Sequence, residues 1–194
     1  MKNKLRLGMV GGGQGAFIGA VHRLSARMDD KYEFVAACLS STAEKAEASA
    51  KEIGLSLDRS YPDYKTMALE ESKREDGIDV VSIVTPNHMH AGPAIEFLQK
   101  DIHVICDKPM TATMDDANEL MKAIKSSKAH FFLTHNYSGY PVIREMRSLV
   151  KNGELGKLRI VKGAYLQGWF LKVKKESSLD FLICLESFLQ SWVQ

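Results

Sequence analysis

Five residues, Gly11-Gly12-Gly13-Gln14-Gly15, close a short apolar run and lead into a helical one. Read strictly, Gly11-x-Gly13-x-x-Ala16 fits the dinucleotide fingerprint with alanine in the third place. Glycine lets the backbone turn tightly and approach a pyrophosphate. The helix start that follows supplies N–H donors and the positive end of a dipole. A lone match also describes an ordinary surface turn; the strand before it and the helix after it are the confirming context. In NAD sites an acid at the end of the second strand grips the ribose 2′-OH. Here the residues are Leu39-Ser40-Ser41-Thr42, with Lys45 one turn on and no acid. Hydroxyls and a lysine accept a 2′-phosphate without repulsion, which tilts the expectation from NAD toward NADP. Ser41 or Thr42 acting only as a helix N-cap accounts for the same residues.

Three further groups stand at strand ends. Thr85-Pro86-Asn87-His88-Met89-His90 closes one apolar strand, Asp107-Lys108-Pro109 the next, and His135-Asn136-Tyr137 the last. In an open parallel sheet the carboxyl ends of strands line the ligand crevice. Lys108 can there contact a substrate hydroxyl or carbonyl and raise its acidity; a salt bridge with Asp107, or an exposed turn, is the plainer alternative. His88 and His90 are two apart at a helix start, face different ways, and have no acid or cysteine to complete a metal site. His22 and His103 read as ordinary helix and strand residues. Cys106, beside Lys108, is either a reactive thiol or a small buried side chain, with burial favoured.

The elements that must position these groups alternate. Strands are expected at Leu5–Val10, Phe34–Leu39, Arg59–Tyr61, Asp79–Thr85, Ile102–Cys106 and Ala129–Thr134. Helices fall between them: Ala16–Met28, Ala43–Ile53, Pro62–Arg74, Met89–Lys100 and Asp115–Ser126. Continuous apolar strands of this kind are buried on both faces, so the expected class is α/β, a Rossmann-type doubly wound parallel sheet. After residue 139 the pattern changes. Pro141–Asn152 is helical, Lys157–Trp169 reads as one long strand, and Leu179–Val193 is apolar at helical spacing. The expected division is a dinucleotide-binding domain over 1–137 and the incomplete start of an α/β substrate domain over 138–194.

Composition narrows the partners. With 26 Lys+Arg against 24 Asp+Glu the net charge is +2, too small and too dispersed for a nucleic-acid partner. No window reaches the ~18 apolar residues of a membrane span. Three cysteines without a Cys-x-x-Cys pair, and no secretory signal, suggest a reducing, cytoplasmic setting.

Together these segments resemble the Gfo/Idh/MocA oxidoreductases, the family of glucose–fructose oxidoreductase and inositol 2-dehydrogenase. The resemblance rests on the glycine cluster ending Ile18-Gly19-Ala20-Val21-His22 and on Ala43-Glu44-Lys45-Ala46. It continues through Thr85 to His90, Val104-Ile105-Cys106-Asp107-Lys108-Pro109 and Asn152-Gly153-Glu154-Leu155-Gly156-Lys157. It implies a nicotinamide dinucleotide and hydride transfer on a sugar, inositol or related polyol. By the same resemblance Gly11, Gly12, Gly13, Phe17 and Ile18 hold the pyrophosphate, and Ser40, Ser41 and Lys45 face the adenosine ribose. Thr85, Pro86, Asn87, His90 and Asp107 line the cofactor. Asn136 approaches its nicotinamide end, and Lys108 matches the lysine of the family's Glu-Lys-Pro motif beside the reacting carbon.

The chain departs from the family in three places. Asp107 stands for glutamate, which shortens the reach to the cofactor ribose. The glycine loop carries about three extra residues before Ile18-Gly19. The family's substrate domain supplies an Asp-x-x-x-His pair for proton transfer; here no histidine follows His135, and Asp180 is the only aspartate after residue 116. The tail from Leu171 to Gln194 departs from the family and reads as a changed frame or an early end. Three readings stay open: an impaired dehydrogenase, a working one completed by another chain or a dimer face, and a non-catalytic nucleotide-binding or interaction protein. The long strand and tail carry the expectation of a homo-oligomer.

Overall fold

The computed structural model describes residues 4–164. They form two units, the first ending at Thr134 and the second beginning at His135. In the first unit five parallel strands stand in the order β2-β1-β3-β4-β5. They are β1 (Leu5–Gly11), β2 (Tyr32–Cys38), β3 (Val80–Val84), β4 (His103–Cys106) and β5 (Phe131–Leu133). Helices α1 (Phe17–Met28), α2 (Ala43–Glu52), α3 (Tyr64–Lys73), α4 (Ala91–Leu98) and α5 (Met114–Ser126) connect them.

The central strands β1 and β3 are buried on both faces, as their uninterrupted apolar character requires, while β5 at the edge leaves Phe132 exposed. Successive residues point to opposite sides. Val10, Ile83, Val104 and Cys106 pack with Phe97, Leu98 and Leu120 on one side. Met9, Ala37, Leu39 and Val84 pack with Ala50 and Leu55 on the other. Helix starts follow the expected chemistry where a cap exists: the Asp63 carboxylate accepts from the Thr66 N–H at 2.8 Å, and the Thr113 hydroxyl from the Asp116 N–H at 3.1 Å.

The strand expected at Arg59–Tyr61 is reduced. Leu57–Arg59 is a turn of 3₁₀ helix, and only Ser60 bridges, in parallel, to Ala37, with the Tyr61 N–H donating to Ala37 O at 2.8 Å. Arg59 is drawn away to Glu71, deep in the fold. The Nε and Nη2 edge of its guanidinium, the Tyr61 hydroxyl and the Ile78 N–H all serve that one buried carboxylate. The bridge still sits outside β2. The strand order reverses between β1 and β3, the switch point where ligands of such sheets bind.

The helix expected from Met89 begins instead as a 3₁₀ turn, Asn87–Met89, before α4. In the second unit α6 (Pro141–Lys151) carries proline in its first turn, where no N–H is missed. The strand expected over Lys157–Trp169 is not formed by its described part; residues 157–164 pair with nothing as strand. Its last five residues, and the expected Leu179–Val193 helix, lie outside the described residues. No helix among the described residues is long and apolar enough to cross a membrane.

Candidate functional site

Because every strand is parallel, the chemistry-bearing turns come to one edge. Gly11 pairs with Val84, Ile83 with Cys106, and Cys106 with Leu133. The residues that follow, Thr85, Asp107 and Thr134, therefore stand in one row beside the glycine loop. The row is tied by Asp107 N–H to Ile83 O (2.9 Å) and Thr134 N–H to Cys106 O (2.9 Å).

The loop itself is built by close approach. Gly11 and Gly12 have φ of +82° and +76°, the left-handed region that favours glycine. A Cβ on Gly13 would lie 2.6 Å from Leu39 O, and the Gly13 N–H donates to that same carbonyl at 3.2 Å. A tighter contact lies beside it: a Cβ on Gly19, in α1, would lie 2.4 Å from the Gly12 Cα. Close helix–strand packing, the role of the fingerprint's third position, therefore belongs to Gly19 and not to Ala16. The extra residues let the loop bulge, with the Gln14 N–H on Ser49 Oγ at 3.0 Å and the Gln14 amide on Glu52 at 2.9 Å. A cavity of about 240 Å³, lined in part by Gly13, Phe17, Arg23 and Glu52, opens on the α1–α2 side.

A dinucleotide fits this cradle. The N-cap of α1 is Ala16, which offers no capping side chain, and the first turn holds no acid. The first N–H groups of α1 thus lack a side-chain cap and point toward where an anion would sit. Phe17 is 82% exposed at this mouth, while Ile18 is half-buried against the core beside Met9 and Val84. At the end of β2, Ser40 is half-buried and Ser41 and Lys45 are exposed. Thr42 occupies the N-cap position of α2, yet its side chain makes no capping hydrogen bond. The Ser40 hydroxyl instead accepts from the Thr42 N–H at 3.4 Å.

Pro86, Asn87 and Lys108 are exposed at the strand-end edge, and the Thr85 hydroxyl donates to Met89 O at 3.0 Å. His90 departs from its expected place on the cofactor. It is 1% exposed, with one ring nitrogen 2.9 Å from Thr85 O and the other 2.6 Å from Pro109 O. The ring spans the turns after β3 and β4 and offers no nitrogen to a ligand. Asn136 lies in the second unit, exposed in a 3₁₀ turn, Asn136–Gly139.

Asp107 turns inward. Its Oδ1 accepts from the Thr134 hydroxyl at 2.8 Å and lies 3.9 Å from His22 Nε2. Burial pushes this carboxyl up; His22, Thr134 and the Lys108 N–H outweigh it, so Asp107 titrates below the usual range. His22 is thus no ordinary helix residue: its Nδ1 meets Ser82 Oγ at 2.8 Å. Its signal was its place in the Ile18-to-His22 segment, two turns beyond the glycines. Ser82, His22 and Asp107 are the residue types of an acyl-transfer triad. Here the ring nitrogens are reversed and Ser82 is 2% exposed in mid-strand, so Ser82 is no nucleophile. Cys106 is fully buried, and burial pushes its thiol up to about 12, leaving the inert reading. Among the described residues no three His, Cys, Asp or Glu side chains gather as a metal site.

Comparison with known proteins places this geometry. A family model described as "Oxidoreductase family, NAD-binding Rossmann fold" matches residues 5–135. The uncharacterized oxidoreductase YfiI of Bacillus subtilis is 36% identical over 167 residues, 85% of this chain and 42% of its own length. Levoglucosan dehydrogenase of Pseudarthrobacter phenanthrenivorans is 28% identical over 172 residues, again 85% and 42%. Among solved structures, an oxidoreductase from Sinorhizobium meliloti superposes with a TM-score of 0.78 at 57% identity, over 81% of this chain and 44% of that one. An inositol dehydrogenase homolog from Azotobacter vinelandii, complexed with NADH and myo-inositol, gives 0.77 at 32% identity, over 81% and 42%. The chain spans about 42% of the length of these curated relatives.

Proposed function

The chain belongs to the Gfo/Idh/MocA oxidoreductase family, and on that premise we propose that it is the cofactor-binding portion of an NAD(P)-dependent dehydrogenase acting on a sugar, inositol or related polyol. The observation that carries the reading is the cradle: glycines in backbone contact with both neighbouring strand ends, facing a helix start with neither cap nor acid. The pyrophosphate of a nicotinamide dinucleotide would be held by the Gly11–Gly13 backbone and the first N–H groups of α1 at Phe17 and Ile18. The nicotinamide, when bound, supplies the hydride acceptor or donor. Pro86 and Asn87 flank it from the end of β3. Lys108 presents a cation at the end of β4 and holds a substrate oxygen by hydrogen bond, stabilising negative charge on it as the carbonyl and alcohol forms interchange.

We assign NADP(H) as the preferred form on the Ser40, Ser41 and Lys45 cluster, where no carboxylate opposes a 2′-phosphate. The relatives' names, a levoglucosan dehydrogenase and an inositol dehydrogenase homolog, support a polyol-like substrate. The test is a fluorescence titration of the 194-residue chain with NADPH and NADH side by side. Saturable binding, several-fold tighter for NADPH and equalised by Lys45→Ala, is expected. Preference for NADH would overturn the NADP assignment. A folded chain that binds neither would overturn the dinucleotide reading.

A further inference from the structure

We propose that His22 is a positioning residue for the Asp107-Lys108-Pro109 turn: it commits the Asp107 carboxylate to the interior and so leaves Lys108 as the one charged side chain of that turn facing the crevice. The proposal rests on the dinucleotide reading only for the meaning of the crevice.

The geometry is a chain of four side chains from four elements. Ser82, mid-strand in β3 and 2% exposed, has Nδ1 of His22 as its side-chain partner at 2.8 Å. A serine hydroxyl that donates to Nδ1 leaves the ring proton on Nε2. His22 Nε2 lies 3.9 Å from Asp107 Oδ1, too far for a direct hydrogen bond, so an N–H on that nitrogen acts on the carboxylate through its dipole. The direct hold is the Thr134 hydroxyl on the same oxygen, at 2.8 Å. His22 and Asp107 keep only 12% and 16% of their side-chain surface exposed, so the field between them is weakly screened. Lys108 follows immediately and is exposed. Turning the neighbouring carboxylate inward denies Lys108 its nearest counter-ion. Of the two alternatives the sequence left for Lys108, the Asp107 salt bridge is thereby removed. Aspartate is the acid short enough to stay in this pocket; glutamate would carry its carboxylate one methylene further.

The test uses the full chain with ¹⁵N-labelled histidine and ¹³C-dimethylated lysines. The long-range ¹H–¹⁵N spectrum is expected to show His22 as the Nε2–H tautomer, and Ser82→Ala is expected to mix the two tautomers. His22→Asn is expected to move the Lys108 methyl resonance, identified by its loss in Lys108→Arg, while the NADH dissociation constant stays within about twofold. Should His22→Asn fail to fold, Thr134→Val removes the direct donor to Asp107 and is expected to move the same resonance. A His22 held as the Nδ1–H tautomer would overturn the proposal. So would a Lys108 resonance unmoved in a folded His22→Asn chain. A folded unmutated chain that binds neither NADPH nor NADH would instead refute the dinucleotide reading, with the tautomer result standing.

Discussion

Gly19→Ala is a demanding test of how the loop is built. On sequence grounds the change should help, because alanine in a helix interior is favoured over glycine by roughly 1 kcal/mol. In the structure the added Cβ would lie 2.4 Å from the Gly12 Cα, 2.8 Å from its oxygen and 3.0 Å from its carbonyl carbon. All three are backbone atoms, so no rotamer can relieve the overlap. Restoring an ordinary contact needs a shift of about 1 Å between α1 and the loop, at the ~1–3 kcal/mol of an overpacked site. Set against the helix-propensity gain, the net expectation is a loss of up to about 2 kcal/mol of stability, read as a lower urea midpoint. Because the displaced backbone is the pyrophosphate cradle itself, NADH affinity should fall at least about tenfold, or ~1.4 kcal/mol. Gly15→Ala is the control. Nothing lies within 4 Å of its added Cβ, but its φ is +79°, so it should cost ~1–2 kcal/mol through backbone conformation alone. A Gly19→Ala chain as stable as the parent, binding NADH with unchanged affinity, would refute the reasoning.

Other expectations concern the scaffold. Glu71→Ala removes the buried partner of Arg59, leaving it only Asp76, whose carboxylate is 3.6 Å away, and should cost about 3 kcal/mol, whereas Tyr61→Phe removes one hydrogen bond to a charge and should cost about 1.5–3 kcal/mol; urea melts of both check the magnitudes. Arg6 holds the Asp79 carboxyl below its ordinary pKa, against the opposing pull of burial. That stability is present above the unfolded-state value near ~4 and lost as pH falls through the lower folded value, so Asp79→Asn should flatten the acid limb of a stability–pH curve. Burial raises the Cys38 thiol to about 11 and the Cys106 thiol to about 12, so neither should react with a thiol reagent at pH 8 until the chain unfolds.

Much of this organisation was legible because it is local. Apolar strand runs and the glycine cluster are short-range patterns, and the fold respects them. The losses are long-range. Ser60 forms only a bridge because Arg59 is pulled to Glu71 twelve residues on, and no window around Arg59 shows that pull. Ala16 took the third fingerprint place by spacing alone, although the helix meets the strand one turn later at Gly19. His22 looked ordinary because its partners, Ser82 and Asp107, are 60 and 85 positions away in a chain whose parallel topology stacks them. A resemblance can say that such residues occur together; only the crossovers say which of them touch.

His90 shows what this means for the site. Two motifs, Thr85-Pro86-Asn87 and Asp107-Lys108-Pro109, look from the sequence like independent walls of one crevice. The structure makes them one mechanical unit, since a single buried ring contacts Thr85 O and Pro109 O from its two nitrogens. On the far side, Asp107 N–H is bonded to Ile83 O of the first motif's own strand, and its carboxylate to Thr134 of the next. The turns that carry exposed Asn87 and Lys108 are therefore held by contacts on their buried side. A site of this kind is precise because each group that meets solvent is fixed by a neighbour that does not, and the residues that set its geometry are the buried His90 and the largely buried His22 and Asp107.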